Sequence, residues 1–196
     1  MLCAHFLCGV YTMDEKITAE KFAKDFCDKA KDHSEWYHNN SAWTNVVLGH
    51  GGIINQIFGN ELTYCREYYN IDAIGWSDIS KDIIIDNCNK VDLRPELWNL
   101  EVAIEHENSK KLWLDEVCKL AYINCPLRVV IAYAKKENDD KEIKKIVKEI
   151  LKTTNAIRDD QEFLLMLGDC GANSQPDYRS YVFAYDSVKK PVEPKK

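Results

Sequence analysis

The chain has no long hydrophobic run. Its longest apolar stretches, such as Val129–Ala132, are far shorter than the roughly 20 residues that a membrane-spanning helix needs. The first twelve residues are apolar but contain no Lys or Arg, so they lack the basic start that is typical of a secretory signal. We therefore expect a protein that has no membrane partner.

The eight cysteines include no Cys-x-x-Cys pair. Their spacing is typical neither of a zinc site nor of a redox motif. Several of them lie inside apolar patterns, where cysteine behaves as a small buried hydrophobic residue. This usage favours a reducing, cytoplasmic setting over an oxidising compartment.

Positive charge is comparatively scarce. The chain has 26 Lys and Arg against 32 Asp and Glu, which gives a formal net charge of −6. Such a molecule repels polyanions as a whole, which makes nucleic-acid binding less favoured. Metal-dependent phosphodiesterases nevertheless concentrate acids in the active site, where the bound cations reverse the local field. The net charge therefore does not exclude that class of enzyme.

The length and composition indicate one ordinary globular domain. The chain has 196 residues, of which 45% are hydrophobic and 30% are charged, as expected for a single folded unit. We expect an N-terminal leader or extra segment at residues 1–12 and a single α/β domain at residues 13–188. Residues 189–196 carry two prolines and four lysines, which favours a disordered tail.

Predicted helices and predicted strands alternate along much of the chain. Helical spacing of apolar residues predicts a helix capped by Thr18, a second that Ser41 opens and Gly59 ends, and others after Ser109 and Asp139. Glycines weaken the middle of the second helix. Apolar, β-branched and aromatic segments predict strands at residues 67–76, 83–85, 100–107, 127–134, 163–167 and 181–185.

Two acids end the apolar strand predicted at residues 100–107. Glu105 and Glu107 are two residues apart, so a strand puts both on one face, about 7 Å from each other. Like charges at that distance repel, and they are tolerated in solvent or around a divalent cation with oxygen ligands. A third acid, Asp72, interrupts the apolar segment at residues 67–76.

The order of these elements, with Asp72 on one strand and Glu105 and Glu107 on a later one, resembles the core of the PD-(D/E)XK nuclease superfamily. The resemblance covers roughly residues 41–134. In that superfamily an acid and a neighbouring Glu-x-Lys pair meet at a metal ion, and a helix and a further strand follow. The resemblance implies an α/β domain with a mixed central sheet flanked by helices, that is, a restriction endonuclease-like core.

The same resemblance implies a metal site. Its ligands would be Asp72, Glu105, Glu107 and the main-chain carbonyl of His106, and its ion Mg²⁺, with Mn²⁺ as a possible substitute. Asp82, Asp86 and Asp92 compete with Asp72 for the first position, and Asp86 lies nearer to Glu105 in sequence. The substrate would be DNA or another nucleic acid, and the chain would act as a homodimer.

The motif departs from the family pattern at Glu107, which stands where the superfamily has lysine. Activation of the attacking water would then depend on a second metal ion at Glu107, or on Lys119 in the next helix. Two plainer interpretations stay open. A Glu-x-Glu pair at a strand end is commonly solvated, and Lys119 with Glu116 is commonly an exposed i,i+3 pair.

We therefore expect Mg²⁺-dependent hydrolysis of phosphodiester bonds in DNA, with Asp72, Glu105, Glu107 and Lys119 as catalytic residues. The alternative is a catalytically silent nuclease fold, or an acidic interaction or regulatory protein that binds a basic partner. A hydrolase of nucleotides or small phosphoesters is a third possibility.

Overall fold

The computed structural model describes residues 16–77, 100–108, 112–134, 140–169 and 176–185. Within these ranges the helices are α1 (Ala19–Lys31), α2 (Asn40–Leu48), α3 (Ile53–Phe58), α4 (Trp113–Ala121) and α5 (Asp140–Thr153), with a short 3-10 helix at Ser34–Trp36. The strands are β1 (Thr63–Tyr68), β2 (Ile71–Trp76), β3 (Leu100–Glu107), β4 (Leu127–Ala134), β5 (Glu162–Asp169) and β6 (Tyr178–Ala184).

The six strands form one mixed sheet in sequence order. β2 is antiparallel to both of its neighbours, β1 and β3; β3, β4 and β5 are parallel, and β6 is antiparallel to β5. Helix α4 connects β3 to β4, and α5 connects β4 to β5, because parallel strands need a crossover connection. The carboxyl ends of the three parallel strands consequently lie at one edge of the sheet.

Helices cover both faces of the sheet, so the predicted α/β fold with helices around a mixed sheet is confirmed. On one face α1, α2 and α3 bury side chains such as Phe22 and Trp43 against Ile131 of β4. On the other face α4 and α5 form a second core, in which Val117 packs with Val130. Every residue of β4 is buried, as predicted for an apolar strand covered on both faces.

The second predicted helix is two helices. The expectation of one helix opened by Ser41 is wrong, because α2 ends at Leu48 and Asn39 is its cap, accepting from the Ala42 amide. The chain folds back tightly at the glycines between α2 and α3. A Cβ on Gly49 would lie 2.3 Å from the backbone oxygen of Asn45, so no larger residue fits there.

The segment predicted as one strand at residues 67–76 is a hairpin. Tyr68 pairs with Ile71, and the two residues between them, Tyr69 and Asn70, have φ of 48° and 62°. Tight hairpins favour this left-handed geometry, which asparagine tolerates. For tyrosine it costs about 1 kcal/mol. The turn was not recognised because its aromatic residues have high strand propensity, and β1 was therefore not predicted as a separate strand.

Several predicted features lie outside the described residues. These are the N-terminal leader, the strand at residues 83–85, the competing acids Asp82, Asp86 and Asp92, the caps Ser109 and Asp139, and the C-terminal tail. Helix α4 begins after Leu112, which provides no side-chain cap. None of the helices in the described ranges has the length and apolar character needed to cross a membrane.

Candidate active site at the end of the third strand

The register between β2 and β3 brings two of the predicted acids together. Ala73 pairs with Ile104, and one residue further along the ladder Asp72 comes opposite Glu105. The Asp72 carboxylate accepts a hydrogen bond of 2.8 Å from the backbone N–H of His106, which fixes its orientation. The negative charge of Asp72 also repels that of Glu105 and raises its pKa. The two acids therefore share one face of the sheet at the carboxyl end of β3.

Glu105 is a buried acid whose cation comes from the next helix. Its side chain is 1% exposed, and its Oε2 lies 3.0 Å from Nζ of Lys119 on α4. The same Nζ lies 2.6 Å from Glu116 Oε2 and donates to the carbonyl of Asn70 at 3.2 Å. Lys119 is thus held by oxygens from a strand, from its own helix and from the β1–β2 turn.

Burial and the ion pair set the protonation of these groups. Burial raises the pKa of Glu105, the hydrogen bond from Lys119 opposes that rise, and repulsion by Asp72 adds to it. Burial lowers the pKa of Lys119, but its bonds to Glu116 and Glu105 outweigh this effect and raise it. Lys119 is therefore a firmly held ammonium, and Glu105 takes up a proton more readily than an exposed glutamate.

Glu107 and His106 lie on opposite faces of β3, as a strand dictates. Glu107 is half-buried on the face of Glu105, at the level of Ala132 in β4. The His106 ring is buried on the other face, where its Nε2 lies 2.7 Å from the hydroxyl of Tyr133. The role predicted for the His106 carbonyl as a metal ligand stays a prediction.

The donor set can be compared with the needs of a metal ion. Across the described ranges, no group of three or more His, Cys, Asp or Glu side chains is arranged to hold one. Mg²⁺, however, uses only one or two carboxylates and completes its shell with water and substrate phosphate oxygens. Glu105 Oε1 is buried and has no hydrogen-bond partner. Asp72 and Glu105 are therefore the two carboxylates that would hold such an ion, and Oε1 is the oxygen of Glu105 that no hydrogen bond occupies.

Two plain interpretations of these residues are corrected. Glu105 is not part of a solvated strand edge, because β4 and α4 cover it. The pair of Lys119 and Glu116 is present but is not an exposed surface pair, since the Glu116 side chain is only 16% exposed. The sequence did identify Lys119 as the lysine that could serve the acids. It did not predict that the carbonyl of Asn70 would accept a hydrogen bond from Lys119, because the turn that contains Asn70 was predicted as strand.

A pocket of about 180 Å³ lies on the face of the sheet opposite to Glu105. It opens at the carboxyl ends of β3, β4 and β5, which is where α/β sheets commonly bind ligands. It is lined by Tyr37, His38, Asn40, Trp43, Asn108, Tyr133 and Asp169. These residues come from separate segments, so no local motif could have revealed them. The sequence did contain one indication of the pocket, because Asn108 and Asp169 are polar residues that follow the ends of two predicted strands.

Comparison with known proteins gives no relative from which to transfer a function. No family model matches this chain, and no match was found to it among curated proteins or among solved structures. The assignment of a function therefore depends on the residues and their geometry.

Proposed function

We propose that this protein is a Mg²⁺-dependent nuclease that hydrolyses phosphodiester bonds in DNA on a restriction endonuclease-like core. The observation that carries the proposal is the contact of 3.0 Å between Lys119 Nζ and Glu105 Oε2, next to Asp72 on the paired strand. Two acids on neighbouring strands agree with the pattern of the PD-(D/E)XK superfamily, and a lysine from the following helix is one of the two ways to make up for Glu107 at the place of the usual lysine.

The topology supports the same proposal. Helix α3 is followed by three antiparallel strands, then by α4 and then by β4, which is parallel to β3. The superfamily has its first acid on one strand and its Glu-x-Lys pair on a neighbouring one, before a helix and a further strand. In this proposal Asp72 on β2 and Glu105 on β3 take those two positions.

Each residue has a defined part in the hydrolysis. Asp72 and Glu105 would hold Mg²⁺, which when bound polarises the phosphoryl group and lowers the pKa of water. The positive charge of Lys119 would stabilise the hydroxide form of the attacking water, since its three N–H groups already contact Glu105, Glu116 and Asn70. Glu107 accepts the proton that this water loses, or contributes a further ligand. Lys119 thus replaces the lysine that is missing at position 107.

A cytoplasmic location and a homodimer that cuts both strands belong to this proposal. Thiol chemistry supports the location, because Cys27, Cys65, Cys118 and Cys125 are free, as in a reducing compartment.

The proposal is tested by cleavage of DNA in the presence of Mg²⁺. Three variants, Asp72→Asn, Glu105→Gln and Lys119→Met, each remove one charge while keeping the side chain at nearly the same size. We expect each to lower the cleavage rate at least about 100-fold, the usual cost of losing one group that stabilises the transition state. Rates are measured on linear and supercoiled DNA with purified protein at equal concentration.

The matched control is Glu149→Gln, the same chemical change at an exposed acid of α5. It should cleave at the rate of the unmodified protein. Circular dichroism of every variant separates loss of activity from loss of folding. Full Mg²⁺-dependent activity in folded Glu105→Gln or Asp72→Asn protein would refute the assignment.

One observation favours the second candidate, a catalytically silent or acidic interaction protein. The residues that are described include no group of three or more side chains arranged to hold a metal ion. Calorimetric titration with Mn²⁺ discriminates between the two functions. Binding that is lost in Glu105→Gln supports the nuclease, and absence of binding supports the interaction protein.

A further inference from the structure

The pocket at the carboxyl edge of the sheet has an aromatic floor. Tyr37, Trp43 and Tyr133 are all buried. The rings of Tyr37 and Trp43 meet edge to face at 5.1 Å, and those of Tyr37 and Tyr133 meet in the same way at 5.9 Å. Rigid aromatic walls of this kind favour a flat, apolar-faced ligand.

The polar atoms of the floor bind one another. Trp43 Nε1 donates to the hydroxyl of Tyr133, which also contacts His106 Nε2 at 2.7 Å and the hydroxyl of Tyr178 at 3.2 Å. The hydroxyl of Tyr37 donates to the backbone oxygen of Asp169 at 2.7 Å. The floor is therefore held rigid, and the groups that can recognise a ligand lie at the rim.

The rim offers polar groups and one acid, the half-buried Asp169. Asn108 is half-buried, and its Nδ2 donates to Thr44 Oγ1 at 2.6 Å, which orients the amide and leaves Oδ1 as an acceptor. His38 and Asn40 are exposed beside it. No Lys or Arg lines the pocket in the part of the chain that is described. An anionic group is disfavoured there, whereas a neutral ring with hydrogen-bond donors on its edge is suited.

The size of the pocket limits the ligand further. Its volume of about 180 Å³ is below the roughly 300 Å³ at which pockets for drug-sized ligands begin. One ring system can enter, but a sugar and phosphate attached to it must remain outside.

The position of the pocket relates it to the candidate active site. Asn108 directly follows Glu107 at the end of β3. Glu105 and Asn108 are three residues apart, about 10 Å along an extended chain, and they serve opposite faces of the sheet. A nucleic-acid strand that crosses the carboxyl edge of β3 can put a phosphate at Lys119 and turn a neighbouring base into the pocket.

We infer that the pocket binds one unpaired nucleobase of the substrate, beside the phosphate that is cleaved. This inference rests on the proposed nuclease function and narrows its substrate class. A base enclosed in the pocket has left its partner, so the substrate is single-stranded DNA or a duplex with an extruded nucleotide. Asn108 Oδ1 accepts from the edge of the base, and Tyr37, Trp43 and Tyr133 contact its faces and sides.

The test is a calorimetric titration of Mg²⁺-free protein with each of the four deoxynucleoside 5′-monophosphates and with 2-deoxyribose 5-phosphate. We expect at least one nucleotide to bind with a dissociation constant of about 1 mM or below, and the base-free sugar phosphate to bind at least tenfold more weakly. Asn108→Ala should weaken nucleotide binding about tenfold, the usual cost of losing one such hydrogen bond. Asn45→Ala, an exposed asparagine on α2 outside the pocket, should not.

Binding and cleavage are scored separately, so that the two proposals can fail independently. Glu105→Gln should retain nucleotide binding while it loses DNA cleavage, and Asn108→Ala should raise KM for single-stranded DNA more than it lowers kcat. Equal binding of the base-free sugar phosphate, or equal affinity of Asn108→Ala and Asn45→Ala, overturns the base pocket even where DNA is cleaved. Nucleotide binding without any cleavage would keep the pocket and overturn the nuclease.

Discussion

Two neighbouring residues of β3, Glu105 and His106, are both buried and face opposite sides of the sheet. Burial raises the pKa of Glu105 and, together with repulsion by Arg66, lowers the pKa of His106 to about 3. Both shifts have the same main cause, because burial disfavours the charged form of either group. On the Glu105 face a lysine offsets this cost, whereas on the His106 face the ring simply remains neutral.

The buried polar groups of the two faces therefore differ in how much they add to the stability of the fold. A neutral network whose members bind one another rigidifies a core, and His106, Tyr133, Trp43 and Tyr178 form such a network. A buried ion pair adds little stability, since desolvation of both charges offsets their attraction. Stability thus accounts for the aromatic network but not for the pair of Glu105 and Lys119, for which we have proposed a catalytic role.

The largest effect on stability is expected from Tyr133→Phe on the aromatic face. The change removes the hydroxyl that Trp43, His106 and Tyr178 all contact, and it leaves buried polar atoms without partners. We expect a loss of about 3 kcal/mol in the free energy of unfolding, from roughly 1–3 kcal/mol for each unsatisfied buried group. Urea-induced unfolding measures it.

The matched control is Tyr181→Phe on the opposite face, where the hydroxyl donates to Asp140 Oδ1 and to no other of the described residues. It should cost about 1 kcal/mol. Equal losses in the two variants would show that the aromatic network gives no more stability than one surface hydrogen bond, and the contrast between the faces would then fail.

Much of this contrast could be predicted from the sequence, because strand alternation is a local rule. The bounds of β3 and β4 follow from their apolar runs, and the opposite orientation of Glu105 and His106 follows from the period of two. Lys119 could be named as a partner for the acids because its helix directly follows β3. These predictions depend on residues close together in the chain.

The rest depends on tertiary geometry. The hairpin at Tyr69 and Asn70 could not be recognised, since its turn lacks glycine and both flanks have strand-like composition. The burial of Glu105 was missed because a local pattern does not tell how α4 lies across the sheet. The pocket was missed because Tyr37, Asn108 and Asp169 come from segments that only the folded sheet brings together.

A smaller effect is expected from Lys119→Met on the charged face. It leaves the buried Glu105 without its cation, a change that costs 3–5 kcal/mol where both groups are fully buried. Lys119 is 39% exposed, and Glu105 can take up a proton instead. We therefore expect a loss of about 2 kcal/mol at neutral pH, below the full cost of an unpaired buried charge.

A double-mutant cycle isolates the pair. In a Glu105→Gln background the buried charge is gone, so Lys119→Met should cost less than in the unmodified protein, because only its contacts with Glu116 and Asn70 are then lost. If Lys119→Met costs the same in both backgrounds, the two side chains do not interact in solution, and the central contact of the proposed active site is lost.

The smallest effect is the pH dependence that His106 gives to stability. Its folded pKa of about 3 lies below its ordinary value of 6.5, so its contribution is complete above pH 6.5 and is lost as the pH falls toward 3. In that window the unfolded chain binds a proton that the folded chain does not. Between pH 6 and pH 5 we expect a loss of about 1 kcal/mol from this residue. Urea unfolding of metal-free protein, compared with His106→Gln, measures it as the difference between the two pH profiles. Parallel profiles would mean that His106 is protonated inside the fold, and the neutral character assigned to the aromatic face would be wrong.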